Sequence, residues 1–202
     1  MADSYSRLER VALGPFRTGM AYTMRLMVIG LVRLDVPPNA VSLLQIPLGF
    51  VVAILIGPAP RAAFGIFLGA LLLDAIDGAM ARATQRTSPY GALIDQMSDH
   101  VREITVVGGL VAAGALRGEI GVAYTLAYPA FNFLLYVANR YGASVPLAIK
   151  TWMVFYPFLF VYLWSGPNWL DVTGGVAAGL MVAGSAVALV RLRGRIQTVA
   201  AR

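Results

Sequence analysis

The chain has 202 residues, of which 58% are apolar and 13% charged, with no cysteine and a mean hydropathy of +0.71. That balance excludes a soluble globular enzyme, a disulfide scaffold, a thiolate metal site and a cysteine nucleophile, so any catalytic group is an oxygen or a nitrogen. The formal charge of +6, from 16 Lys and Arg against 10 Asp and Glu, is dispersed among apolar stretches. It points to a membrane protein held against anionic headgroups, with membrane lipids and not nucleic acid as its surroundings.

From Pro15, a residue suited to a first helical turn, Phe16, Met20, Met24, Met27 and Leu31 share one helical arc, while Arg17 and Arg25 share another. The pattern predicts an amphipathic helix in the membrane interface, a reading compatible with its packing on the protein itself. Arg7, Arg10, Arg17, Arg25 and Arg33 break every window that could serve as a cleavable signal. Six stretches then approach the roughly 20 apolar residues that cross a bilayer: 42–56, 61–81, 91–115, 120–138, 149–164 and 169–190. Turn formers separate them at Gly57, Pro58 and Pro60, at Ser88 and Pro89, at Gly142 and Pro146, and at Gly166 and Pro167. Pro47, Pro129 and Pro157 fall inside spans, where kinks are expected. Gly108, Gly109 and Gly114, and Gly174, Gly175, Gly179 and Gly184, are expected to admit close helix contacts within the bundle or across a dimer.

With both termini on one face, that face collects the five N-terminal arginines, Arg82, Arg86, Arg140, Lys150, Arg191, Arg193, Arg195 and Arg202, and the other face only Arg61 and Arg117. The asymmetry places both termini in the cytoplasm. The expected fold is an all-α integral membrane protein: residues 1–35 form a cytoplasmic, interfacial amphipathic helix, and residues 36–202 form a domain of six transmembrane helices.

Five of the ten acids, Asp74, Asp77, Asp95, Asp99 and Glu103, lie at or inside two of these spans. A charge at the centre of a membrane helix costs about 2.5–3.5 kcal/mol on insertion scales, so four aspartates without partners would cost on the order of 10 kcal/mol. A cation is therefore expected among them. On a helix Asp74, Asp77, Gly78 and Ala81 share an arc of about 100°, and Gly91, Asp95 and Asp99 recur every four residues on the next. The reversal between Arg82 and Tyr90 is expected to make the two helices antiparallel neighbours, with their carboxylates facing near the cytoplasmic end. Hard oxygen ligands without His or Cys favour Mg²⁺ or Mn²⁺, metals that commonly bridge phosphates. His100 points about 100° away from Asp99 and reads as a packed or interfacial residue, and Arg102 and Glu103 read as pairs within the bundle. Two rival readings are a structural polar network and a divalent-cation channel or transporter. The second would distribute its acids through the depth of the membrane instead of gathering them at one end.

Asp74, Asp77, Gly78, Ala81, Arg82, Gly91, Asp95 and Asp99 together read D-x2-D-G-x2-A-R-x8-G-x3-D-x3-D. This resembles the signature of the CDP-alcohol phosphotransferase family, and average residue usage would produce it by chance in a chain this long about once in 10⁸. Pro38, Asn39 and Ser42 resemble the family's P-N-x-x-[ST] segment, whereas His100 departs from the Arg that many relatives carry there. The resemblance implies a homodimeric enzyme of six spans. Such an enzyme transfers a phosphatidyl or other phosphoalcohol group from a CDP-linked lipid donor, commonly CDP-diacylglycerol, to the hydroxyl of a small polar acceptor and releases CMP. It implies Asp74, Asp77 and Asp95 as ligands for two divalent ions, with Asp99 as a further ligand or as the catalytic base. Gly78, Ala81 and Gly91 would leave room for the cytidine and its phosphates, and Arg82 would help to hold the nucleotide.

Arg140 and Lys150 bracket the cytoplasmic loop between the fourth and fifth spans, close to where the active site is expected to open. They read either as topological anchors or as a clamp on the phosphate of a phosphorylated acceptor. Lys150 and Thr151 resemble the Lys-Thr segment of the phosphatidylglycerophosphate branch, which implies glycerol 3-phosphate as the acceptor. Inositol phosphate is an alternative, as is an amino alcohol such as serine or choline facing Trp152 and Tyr156. Tyr124, Tyr128, Tyr136, Trp152, Tyr156, Trp164 and Trp169 read first as interfacial belts and packing.

Overall fold

A computed structural model describes residues 25–143, 145 and 151–200, with the backbone alone at 151, 152 and 197–200. No strand occurs among the described residues. Helix α1 covers 25–33 and is followed by α2 (Pro38–Leu55), α3 (Pro60–Ala83), α4 (Pro89–Ala112), α5 (Gly118–Arg140), α6 (Thr151–Val154), α7 (Tyr156–Ser165) and α8 (Leu170–Ala200). Prolines open α2, α3 and α4 in the first turn, where a missing N–H leaves no bond unmade. The Ser88 hydroxyl caps α4 by accepting from the Gly91 N–H at 2.9 Å. Beyond α4 the chain turns at Gly114, whose φ of +68° is left-handed. Gly114 is thus a turn residue and not the helix contact expected of it. Within the helices Thr105, Thr125, Thr173, Ser185 and Asn132, and at the end of α3 Thr84, donate to the carbonyl four residues back, so these polar groups need no water.

Among the described residues four helical stretches are long and apolar enough to cross a membrane: α2, α3, α5 and Leu170–Ile196 of α8. The third expected stretch is α4, which has the length but carries Asp95, Asp99, Arg102 and Glu103. The fifth, 149–164, is interrupted at Phe155 into α6 and α7, so Pro157 opens a helix instead of kinking one. Pro47 and Pro129 stay inside continuous α2 and α5, and α8 runs past residue 190 to Ala200.

The chain divides into two compact units. Among the described residues, one takes those up to Ala115 together with Leu163–Ser165, the other those from Leu116 to Tyr162 and from Gly166 onward. In the first unit α2 is the spine, packed along both α3 and α4. Its crossing with α4 is close because two glycines make it. A Cβ on Gly109 would stand 2.5 Å from Ala53 Cα, and one on Gly49 would stand 3.0 Å from Arg102 Cα. Val28 of α1 is buried with Val41, Ile76 and Met80, and Leu31 and Val32 pack against that cluster, while Leu26 and Met27 stay exposed. Helix α1 therefore lays one face on the protein; Phe16, Arg17, Met20 and Met24, on which the expected amphipathic pattern rests, lie outside the described residues. In the second unit α5 packs along α8. There Gly174 faces Ile120, Leu116 and Phe155, and Gly184 faces Phe131. Gly108, Gly175 and Gly179 have open space before them, so the expected glycine contacts are made by Gly109, Gly174 and Gly184.

Candidate functional site

The aspartates come together within the first unit. Helix α3 brings Asp74 and Asp77, α4 brings Asp95 and Asp99, and ligand oxygens of Asp74, Asp95 and Asp99 lie within 4.8 Å of one another. The route to this convergence differs from the expected one. Helices α3 and α4 do not pack along each other; each packs along α2, and the carboxylates reach across between them. Asp77 is buried beside the cluster, close to the Ser42 side chain, whose hydroxyl donates to the Pro38 carbonyl at 3.4 Å.

The polar groups around the cluster do not satisfy it. Arg102, 3% exposed, sets its Nη2 at 2.9 Å from Asp99 Oδ1 as an ion pair without hydrogen-bond alignment. The Gln45 amide N–H donates to Asp74 Oδ1 at 3.3 Å. Asp77 Oδ2 and Asp95 Oδ1 are buried with no hydrogen-bond partner among the described residues. Buried carboxylate oxygens without donors, gathered with other carboxylates, fit a hard divalent cation, which needs oxygen ligands and supplies the missing positive charge.

The small residues of the motif adjoin polar atoms. A Cβ on Gly78 would lie 3.3 Å from Arg82 Nη1, because the exposed Arg82 side chain folds back over that glycine one turn away. A Cβ on Gly91 would lie 3.2 Å from both Asn39 Oδ1 and Ser88 Oγ. Ala81 is half-buried on the Asp74 face. Asn39 and Ser42 of the P-N-x-x-S segment are thereby brought to the two halves of the aspartate motif, Asn39 beside Gly91 and Ser42 beside Asp77.

Two residues take parts that the sequence did not assign them. Arg102, expected to pair somewhere in the bundle, pairs with Asp99 itself. Gln45 was not singled out, although an amide three residues after Ser42 inside an apolar stretch was the available signal. His100 is half-buried. Arg140 belongs to the second unit, where it is exposed and donates to the Tyr136 hydroxyl at 3.4 Å. Lys150 and the Trp152 side chain lie outside the described residues. Tyr156 is buried, and Trp164 and Trp169 are exposed, with the Arg61 guanidinium 5.8 Å over the Trp164 ring.

Membrane-length apolar helices and a half-buried, unsatisfied carboxylate cluster define a helical integral membrane protein with a candidate divalent-cation site. The chain belongs to the CDP-alcohol phosphatidyltransferase family, whose sequence profile matches residues 35–190. Over 95 residues it is 28% identical to the archaetidylinositol phosphate synthase of Pyrococcus horikoshii. That match covers 45% of this chain and 48% of the relative, so the chain spans about half the length of the curated relative it matches. Two crystal structures of the phosphatidylinositol phosphate synthase of Mycobacterium tuberculosis share the fold. The one with CDP-DAG bound has a TM-score of 0.65 at 21% identity, over 82% of this chain and 91% of that one. The one in complex with manganese and citrate has a TM-score of 0.68 at 18% identity, over 82% and 87%.

Proposed function

We propose that this protein transfers a phosphatidyl group from a CDP-linked lipid, CDP-diacylglycerol in the first instance, to the hydroxyl of a small phosphorylated polyol, with release of CMP. The observation that carries the reading is the convergence of Asp74, Asp95 and Asp99 beside buried Asp77, in the family's own motif and spacing. Asp74, Asp77 and Asp95 hold two divalent ions, Mg²⁺ or Mn²⁺, and Asp99 is a further ligand or the base. When bound, such ions neutralise the pyrophosphate and the charge that develops on departing CMP. The acceptor oxygen forms a bond to the lipid-bearing phosphorus while the anhydride bond to CMP breaks, and the hydroxyl proton passes to a carboxylate. For Asp99, Arg102 engages one oxygen and leaves the other for this work. Gly78, Ala81 and Gly91 give the nucleotide its space, and Arg82, whose exposed side chain lies over Gly78, holds it.

The same reading has residues 1–35 as an interfacial preface and 36–202 as a six-span catalytic domain, with both termini and the site on the cytoplasmic side. Its support for α4 as a span is that all four charged residues in it, Asp95, Asp99, Arg102 and Glu103, are buried or half-buried and so are turned away from lipid. Homodimerisation is part of the proposal through the family.

For the acceptor, Lys150 and Thr151 favour glycerol 3-phosphate, with Arg140 and Lys150 as its phosphate clamp. The names of the similar proteins, an archaetidylinositol phosphate synthase and a phosphatidylinositol phosphate synthase, favour inositol phosphate. An acceptor screen with purified protein and CDP-diacylglycerol, comparing glycerol 3-phosphate, inositol phosphate, inositol, serine and choline, tests the reading. CMP release with one phosphorylated polyol is expected. Preference for an unphosphorylated acceptor would discard the clamp and return Arg140 and Lys150 to topological anchoring.

A further inference from the structure

We propose that Gln45 is a positioning residue for Asp74, setting the orientation of that carboxylate for cation binding; the proposal rests on the reading of the aspartate cluster as a divalent-cation site. Gln45 stands on α2, the helix packed along both α3 and α4, and its side chain is 0% exposed. Its amide N–H reaches Asp74 Oδ1, whereas its own Oε1 is buried with no hydrogen-bond partner among the described residues.

Three physical points join these observations. A carboxylate rotates broadly about its last torsion, because the sp³–sp² bond has no sharp staggered wells. One donor from a different helix, held on one oxygen, fixes that rotation and leaves the other oxygen a set direction. Second, an amide is a neutral donor. A guanidinium or ammonium at this position would hold Asp74 equally well but would add a second positive charge to that of Arg102 around the space the cation must enter. Third, Gln45 is immobilised by complete burial, so its N–H direction is set before any ligand arrives. A residue serving only to pack α2 would do better as an apolar side chain, since the unpaired Oε1 is a cost with no return in packing.

The test uses the full-length protein purified in detergent, with Mn²⁺ alone as the probe, read from the electron paramagnetic resonance signal of the free ion. Gln45→Met removes the amide at nearly the same length, and Gln45→Leu does so with a different shape. Mn²⁺ affinity is expected to fall about 10- to 100-fold in both, the range seen when a partner that orients a metal ligand is lost. The melting temperature in chelator should stay at or above that of the wild type. Unchanged Mn²⁺ affinity in either folded variant overturns the proposal. So does a weakening matched by a lower melting temperature in chelator, or failure of both variants to fold, since either makes Gln45 a packing residue. A wild-type protein that binds no Mn²⁺ refutes the cation site itself, an outcome distinct from variants that bind as the wild type does.

Discussion

The crossing of α2 and α4 sets the frame on which the site is built, and it can be tested with two adjacent glycines. At Gly109 an added Cβ would lie 2.5 Å from Ala53 Cα, 2.7 Å from its Cβ and 2.8 Å from its carbonyl oxygen. Ordinary carbon contacts are about 3.5–4.0 Å, so α2 and α4 must part by about 1 Å. Two of the three obstructing atoms are backbone, which cannot rotate aside. At Gly108 the same Cβ meets nothing within 4 Å. Both glycines lie inside α4, so the helix-propensity gain of Ala over Gly, about 0.5–1 kcal/mol, and the unfolded-state effect are nearly common to the two variants. The difference between them isolates the clash, for which overpacking data give about 1–3 kcal/mol. Thermal unfolding in detergent should therefore show Gly108→Ala at or slightly above the wild type and Gly109→Ala clearly below Gly108→Ala. Equal melting temperatures for the two variants would refute a glycine-dependent α2–α4 crossing.

Three further outcomes are expected. Asp99→Asn should abolish transfer while donor binding persists if Asp99 is the base; a loss of CDP-diacylglycerol or Mn²⁺ binding equal to that of Asp95→Asn would make it chiefly a ligand. Arg140→Ala and Lys150→Ala should each raise the acceptor KM about 10- to 100-fold with donor binding intact, the scale of one charge-assisted contact, and an unchanged KM would remove them from the acceptor site. Liposomes carrying the protein should consume the CDP-linked donor and pass no divalent cation, and a measurable ion flux would favour the transporter reading over the enzyme.

How far the structure could be read in advance depended on what the bilayer does to sequence patterns. The reversals before α3 and α4 were legible because Pro60 and Pro89 punctuate the apolar pattern, whereas α2 begins at Pro38, ahead of the expected start at 42. The aspartates were legible because a buried carboxylate is costly enough in a span to demand a reason. Helix adjacency was not: lipid-facing and protein-facing residues are alike apolar, so nothing in the hydrophobic pattern announces that α2 stands against both α3 and α4. For the same reason Gly108 and Gly109 looked equivalent, although one faces open space and the other the backbone of Ala53. Gln45 was overlooked because a single amide carries no charge to draw attention, and its meaning emerges only when Asp74 is seen beside it. The break at Phe155 also escaped notice, since Pro157 is compatible both with a kinked span and with a new helix starting at Tyr156.

The central claim is that the carboxylate cluster is a divalent-cation site serving CDP-dependent transfer. The most direct measurement is CMP release from CDP-diacylglycerol, in the presence of the preferred acceptor, by purified wild-type protein and Asp95→Asn, each with Mg²⁺ or Mn²⁺ and with excess chelator. CMP release is expected from the wild type with metal, none with chelator, and none from an Asp95→Asn protein that is still folded. A chelator-insensitive rate, or near-normal turnover by Asp95→Asn, would contradict the claim.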